Sequence, residues 1–276
     1  MTLSERNIFL ETAIFFCAAV IIYIVVSSFS IIPFYQEMDE GIRRPAYLFQ
    51  MISGLLSGNS FLAVHAILTL AALFSLITII IIFFFFERTH SPEIPYIALF
   101  VISFSFEALR LILPLHLIYH FPNIYLIIVT RILYFARFFG IFSLFTAGVC
   151  AAGLEIQKTR NAIIVITVAA LAITIRVPID VLAWDTSLNM VNGFSSMFRI
   201  IELSVFITTM ISFLVAAKNR GSREYIYIAV GVMISLAGRS ILLGTDNWIG
   251  PVPGIVLLSF GTWLICSKLH KIYLWL

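Results

Sequence analysis

Charge is what this chain has least of: Asp, Glu, Lys and Arg together make up 11% of its 276 residues, against 61% hydrophobic residues. A soluble domain of that size cannot cover so much apolar surface with so few polar groups, so the mean hydropathy of +1.07 points to a membrane. Cysteine is scarce too. Cys17, Cys150 and Cys266 lie in separate apolar runs without metal-ligand spacing, which argues against a disulfide framework or a cysteine metal site and leaves buried thiols. All four lysines (Lys158, Lys218, Lys268 and Lys271) flank apolar runs, so none is placed to form a retinal Schiff base. There is no P-loop, HExxH, GxSxG or glycine-rich dinucleotide turn. No cofactor is expected, and an enzyme acting on lipid at the outer face is a weak reading because no recognisable catalytic set exists. The net charge of +3 and pI of about 8.8 come without a basic patch long enough for nucleic acid.

What is present is length of apolar sequence. A spanning helix needs about 20 apolar residues, and eight runs qualify: about 8–32, 62–86, 94–119, 124–154, 161–183, 196–217, 224–244 and 250–267. They are continuous, as from Ile77 to Phe86, and do not alternate like barrel strands. The expected fold is an all-α integral membrane protein, an eight-helix bundle. Residues 1–60 form an N-terminal transmembrane helix with an outer interfacial loop, and residues 61–276 a seven-helix membrane bundle. The first run is too long for a signal-peptide core and reads as a retained helix.

Assigning loops alternately to two sides puts Arg6, Arg88, Lys158, Arg160, Lys218, Arg220, Arg223, Lys268 and Lys271 on one side, and only Arg43 and Arg44 on the other. The positive-inside rule makes the first side cytoplasmic, with both termini inside. Short loops, no glycosylation sequons at outer-loop positions and no disulfides favour a prokaryotic inner (plasma) membrane. An internal repeat is also expected. Arg137 aligns with Arg199 and Lys158 with Arg220 at an offset of 62, Arg176 with Arg239 at 63, and Arg110 with Arg176 at 66. These offsets imply two or three parallel helical hairpins, a device found in several transporter folds.

Six arginines fall inside the apolar runs: Arg110, Arg131, Arg137, Arg176, Arg199 and Arg239. A charge at membrane depth is expensive and marks a functional site by default. At about 1.5 Å rise per residue, helices starting near Pro95, Asn161 or Glu224 reach Arg110, Arg176 or Arg239 after about 22 Å, and the descending helices bring the other three to the outer side. Three carboxylates sit at helical spacing from an arginine: Glu107 with Arg110, Asp180 with Arg176, and Glu202 with Arg199. One reading is snorkelling to outer-leaflet phosphates. The other is a cationic pocket for an anion, since the planar guanidinium fork grips carboxylate or phosphate and stays charged when desolvated.

Weaker signals lie nearby. His116 and His120, four apart, are weak metal candidates lacking a catalytic carboxylate between them. Glu37, Asp39 and Glu40 form an acidic run in the first outer loop, read either as a solvated turn or as a tethered counter-ion. Gly250-Pro-Val-Pro-Gly254 reads as a helix start after a turn, and Trp184, Trp248, Tyr119 and Tyr125 as an interfacial belt. The last seven runs share the outside-to-inside topology of many receptors but none of the motifs of the large receptor families. The expected function is receptor-like or sensory binding of an anionic ligand or lipid headgroup, acting through a protein partner in the membrane. The alternatives are a transporter or flippase of an anionic solute or lipid, and a structural subunit of a membrane complex.

Overall fold

The computed structural model describes residues 3–34, 61–87, 89, 91–153, 159–179, 184–185, 187–190 and 195–274. The acidic run at 37–40 and the Asp180 partner of Arg176 lie outside them. Helix is the only repeating element among these residues, apart from one isolated bridge between Trp184 and Met190. In chain order the elements are α1 (Leu3–Ile31, continued by a 3₁₀ turn over Ile32–Phe34), α2 (Phe61–Phe86), α3 (Ile94–Ser103), a 3₁₀ stretch (Ser105–Leu111), α4 (Ile112–Tyr119), α5 (Asn123–Ala152), α6 (Thr159–Ile175), α7 (Ser195–Arg220), α8 (Glu224–Gly244) and α9 (Pro251–Leu274). With α3, the 3₁₀ stretch and α4 running as one segment, seven of these units are long and apolar enough to cross a membrane. The protein is therefore an all-α multi-pass membrane protein.

Two expected helices differ from the sequence reading, and proline explains both. The run at 161–183 yields a helix that stops at Ile175, because Pro178 holds the preceding residue out of α geometry. The run at 94–119 is helical throughout but changes hand-hold in its middle. Pro114 has no N–H to give the carbonyl four residues back, that of Arg110, and the backbone just upstream tightens into the 3₁₀ form.

The helices α2, α3, α5, α7, α8 and α9 follow one another as packing neighbours, and α9 returns to α2, closing a ring. α1 lies outside against α2 and the 3₁₀ stretch, and α6 packs chiefly on α5. The interior is a continuous apolar cluster that includes Phe100, Phe104, Leu144, Phe213, Val232 and Leu258. The closest helix pair is α8 on α9, where glycines remove the side chains that would hold the backbones apart. A Cβ at Gly261 would lie 2.7 Å from the Gly231 carbonyl oxygen, and one at Gly231 would lie 3.0 Å from that of Gly261. Such small-residue contacts substitute in lipid for the hydrophobic drive that water supplies. The proposed repeat does not extend to environment: Arg239 on α8 is buried, whereas its counterpart Arg176, just past α6, is exposed.

One end of the ring is tied down by polar clasps. Arg6 of α1 donates to the carbonyls of Phe86 (2.5 Å), Glu87 (3.0 Å) and Thr89, satisfying the open C-terminus of α2. Asn219 and Arg220 at the end of α7 reach the Ala152 and Cys150 carbonyls that end α5. Glu224 bridges Lys268 at 3.0 Å and Lys271 at 2.6 Å. Of the basic residues that the sequence assigns to one side, Arg6 and Arg220 thus close helix ends, and Lys268 and Lys271 pair with Glu224. We call this the basic end.

The glycine contact gives a direct test. Gly261→Ala should destabilise the protein measurably in bicelle unfolding experiments, because backbone atoms of α8 must move. Gly244→Ala, with nothing within 4 Å of the added methyl, should leave stability unchanged or slightly raised.

Candidate functional site

Three of the six membrane arginines come together at one level, and a fourth, Arg199, lines the cavity beside them. Arg137 lies 15 residues before Ala152 on α5, and Arg239 lies 15 residues after Glu224 on α8. Each is therefore about 22 Å above the basic end. Arg110 joins them from the 3₁₀ stretch, where residues three apart eclipse one another. That geometry, tighter than an α-helix, stacks Arg110 directly over Glu107.

Glu107 is the centre of the cluster. Its carboxylate is almost fully buried and receives a bidentate pair from Arg137: Nε donates to Oε1 at 2.7 Å and Nη2 to Oε2 at 2.8 Å. Arg110 Nη2 sits 2.6 Å from Oε2 as an ion pair, off the direction of a hydrogen bond. Arg110 also donates from Nη1 to the Ser187 carbonyl at 3.3 Å, and its buried Nε has no hydrogen-bond partner among the described residues. Two guanidiniums against one carboxylate leave positive charge in a site where water is scarce.

A loop segment roofs the pair. Arg137 Nη2 donates to Asn189 Oδ1 at 2.7 Å, and Asn189 Nδ2 donates to Ser187 Oγ at 2.8 Å. Leu188 adopts φ of 57° between them, and its side chain is buried with Met190 in a second apolar cluster. The Tyr134 ring lies 5.7 Å from the Arg137 guanidinium carbon, within cation–π range. Ser187, Asn189 and Tyr134 are absent from the sequence reading, which took Trp184 only as part of an interfacial belt. The available signal was a short polar stretch, Asp185 to Asn189, in an otherwise apolar sequence at the depth of the arginines.

Beside the cluster is a cavity of about 170 Å³ between α5, α7 and α8. Arg137, Arg199, Glu202 and Arg239 supply its polar lining, and Tyr134, Phe138 and Phe198 its aromatic wall. Glu202 pairs with Arg239 across the cavity. This corrects the expected pairing with Arg199 on the same helix, and burial is the reason. Arg239 is 7% exposed at its side chain, and an unpaired charge there costs far more than one at the exposed Arg199. Around the cavity and its back wall, four guanidiniums (Arg110, Arg137, Arg199 and Arg239) face two carboxylates (Glu107 and Glu202) among the described residues.

The remaining sequence candidates stand apart. Arg131 and Arg176 are exposed and suit snorkelling. His116 is half-buried, and His120 caps α4 in the left-handed region with φ of 52°, its N–H donating to the His116 carbonyl at 2.8 Å. Among the described residues no group of three or more His, Cys, Asp or Glu is placed to hold a metal. The backbone of the pair closes the end of α4.

At the basic end lies a second buried carboxylate. Glu93, just before α3, accepts from the Tyr273 hydroxyl at 2.8 and 3.0 Å and from Ser91 Oγ at 2.9 Å. Burial pushes its carboxyl above the ordinary carboxylate range, and the Tyr273 and Ser91 hydroxyls and the charge of Arg220 offset this only in part. Between this level and the arginine cluster the ring interior holds no charged side chain among the described residues.

Two outcomes follow. Glu107→Gln should cost about 3–5 kcal/mol, because two buried guanidiniums lose their counter-charge, whereas Arg131→Gln on the exposed surface should stay within about 0.5 kcal/mol; unfolding titrations in bicelles measure both. A carboxyl whose pKa is raised by folding contributes stability in full below its unfolded value and loses it as pH rises through the folded value. The contribution of Glu93 to stability should therefore fall as pH rises above the ordinary carboxylate range, and in thermal unfolding Glu93→Gln should remove that dependence relative to the wild type.

No protein-family model matches this chain, and neither a curated protein nor a solved structure is significantly similar to it.

Proposed function

We propose that this membrane protein binds an anionic group in the cavity lined by Arg137, Arg199 and Arg239, and acts as a receptor-like or sensory component through a protein partner. The observation that carries the proposal is the charge imbalance around the cavity, four guanidiniums against two carboxylates among the described residues. An incoming carboxylate or phosphate meets guanidiniums that the two carboxylates do not fully neutralise. Arginine is suited to this because it offers a fixed fork of donors that remains charged when desolvated. The cavity of about 170 Å³ is smaller than the roughly 300–1,000 Å³ of drug-sized ligand sites, so it fits a headgroup and not a whole large molecule. The positive end of the α7 dipole lies within a turn of Arg199 and favours the same charge.

Binding is preferred to transport on one observation. Below the arginines the interior is packed with Phe100, Phe104, Leu144 and Phe213, all at most 1% exposed. An anion passing through would have to shed its charge partners for much of the distance to Glu93. Glu202 then acts as a resident counter-ion on Arg239 that an arriving anion displaces.

Isothermal titration of the detergent-solubilised protein with inorganic phosphate tests this. Arg199→Gln, which breaks no buried pair, should weaken binding by roughly tenfold, the equivalent of one charge-assisted hydrogen bond. Glu202→Gln should strengthen it. Phosphate affinity unchanged in both variants, or no phosphate binding by the wild type, would sink the proposal.

A further inference from the structure

The flank on which the cavity opens identifies the kind of molecule that carries the anion. Of the two polar groups at the mouth, Arg199 is exposed and the Glu202 side chain is 42% exposed, and both stand on α7. Only 17% of the apolar window of α7 is buried inside the protein, the smallest share of the seven spans. Leu203 and Ile207 follow Arg199 at four-residue steps, on the drifting face just below it, and are 56% and 48% exposed. Arg199 lies 21 residues before Arg220, about 31 Å from the basic end. That is one full thickness of a bilayer core of about 30 Å, and so the headgroup level of the far leaflet.

From this arrangement we infer that the ligand is an anionic membrane lipid that enters sideways from that leaflet. Its phosphate is held by Arg199, Arg239 and Arg137, and its acyl chains lie along the apolar flank of α7. The inference rests on the anion-site reading above and adds the source of the anion. A soluble anion would meet the cationic groups without any use for the ladder of exposed side chains beneath them. A neutral or zwitterionic lipid would fit the ladder but bring no net charge to the guanidiniums. An acidic lipid meets both demands with one molecule. The exchange balances in charge: the lipid phosphate takes the place of the Glu202 carboxylate on Arg239, and Glu202, already 42% exposed, turns to the headgroup layer.

The test uses the full chain, stripped of lipid in a non-ionic detergent, with phosphate binding measured by calorimetry as competitors are added. Phosphatidylglycerol should abolish the phosphate signal. Phosphatidylcholine and soluble glycerol 1-phosphate should each need roughly tenfold or more higher concentration to do so. In native mass spectrometry, phosphatidylglycerol should remain bound to the wild type and be lost from Arg199→Gln, while Arg131→Gln retains it. If glycerol 1-phosphate competes as well as the lipid, the ligand is a water-borne anion and the lateral-entry inference fails while the anion site stands. If phosphatidylcholine matches phosphatidylglycerol, or Arg199→Gln retains the lipid, the inference fails through loss of charge selectivity. If phosphate itself never binds, the site reading fails first.

Discussion

The arginine cluster of this bundle is organised around the carboxylate of Glu107. In a low-dielectric interior a lone guanidinium is costly, and removing one partner of a buried pair is worse than never having had the pair. Glu107 resolves this for two arginines at once, one from its own segment and one from α5. It thereby joins the third spanning unit to the fourth by a bidentate contact that tolerates little rotation. The roof of Ser187 and Asn189 attaches to the same two guanidiniums, so the loop is positioned by the arginines as much as the arginines are covered by the loop. Glu202 repeats the device on a smaller scale for Arg239, with the difference that its carboxylate is half in the open.

The architecture divides the molecule into unlike ends. At the basic end, Arg6, Asn219 and Arg220 close helix termini that would otherwise expose carbonyls, and Glu93 and Glu224 tie α9 to its neighbours through Tyr273, Lys268 and Lys271. Glycine contacts bring α8 and α9 together along their length. At the other end the groups are charged in excess and partly open.

Much of this was legible in the residues, and what was not has identifiable causes. Continuous apolar runs of spanning length announce themselves, so the helical membrane fold and the anomalous arginines could be read directly. The Glu107–Arg110 pair was visible as an i, i+3 spacing, because local geometry is encoded locally. The Glu107–Arg137 contact joins residues 30 apart, and no periodicity records which faces of two helices meet. For Glu202 the local rule misled: Arg199 lies at helical spacing, but the buried Arg239, 37 residues away, has the stronger claim on the carboxylate. Pro178 and Pro114 are plain in the sequence. Their effects, an early helix end and a 3₁₀ stretch, required knowing which carbonyl each left without a donor.

That 3₁₀ stretch has a mechanical meaning. Its seven residues, Ser105–Leu111, run directly from the apolar packing of α3 to the arginine cluster. Relative to an α-helix, 3₁₀ geometry adds about 0.5 Å of length and about 20° of winding per residue. If the whole stretch passed into α form, the segment would shorten by about 3.5 Å and unwind by about 140° between its ends. Glu107 and Arg110 would no longer eclipse, and the carboxylate would turn relative to Arg137. The stretch is in effect a screw thread cut into a transmembrane helix, with the charge cluster as its head and α3 as its shank.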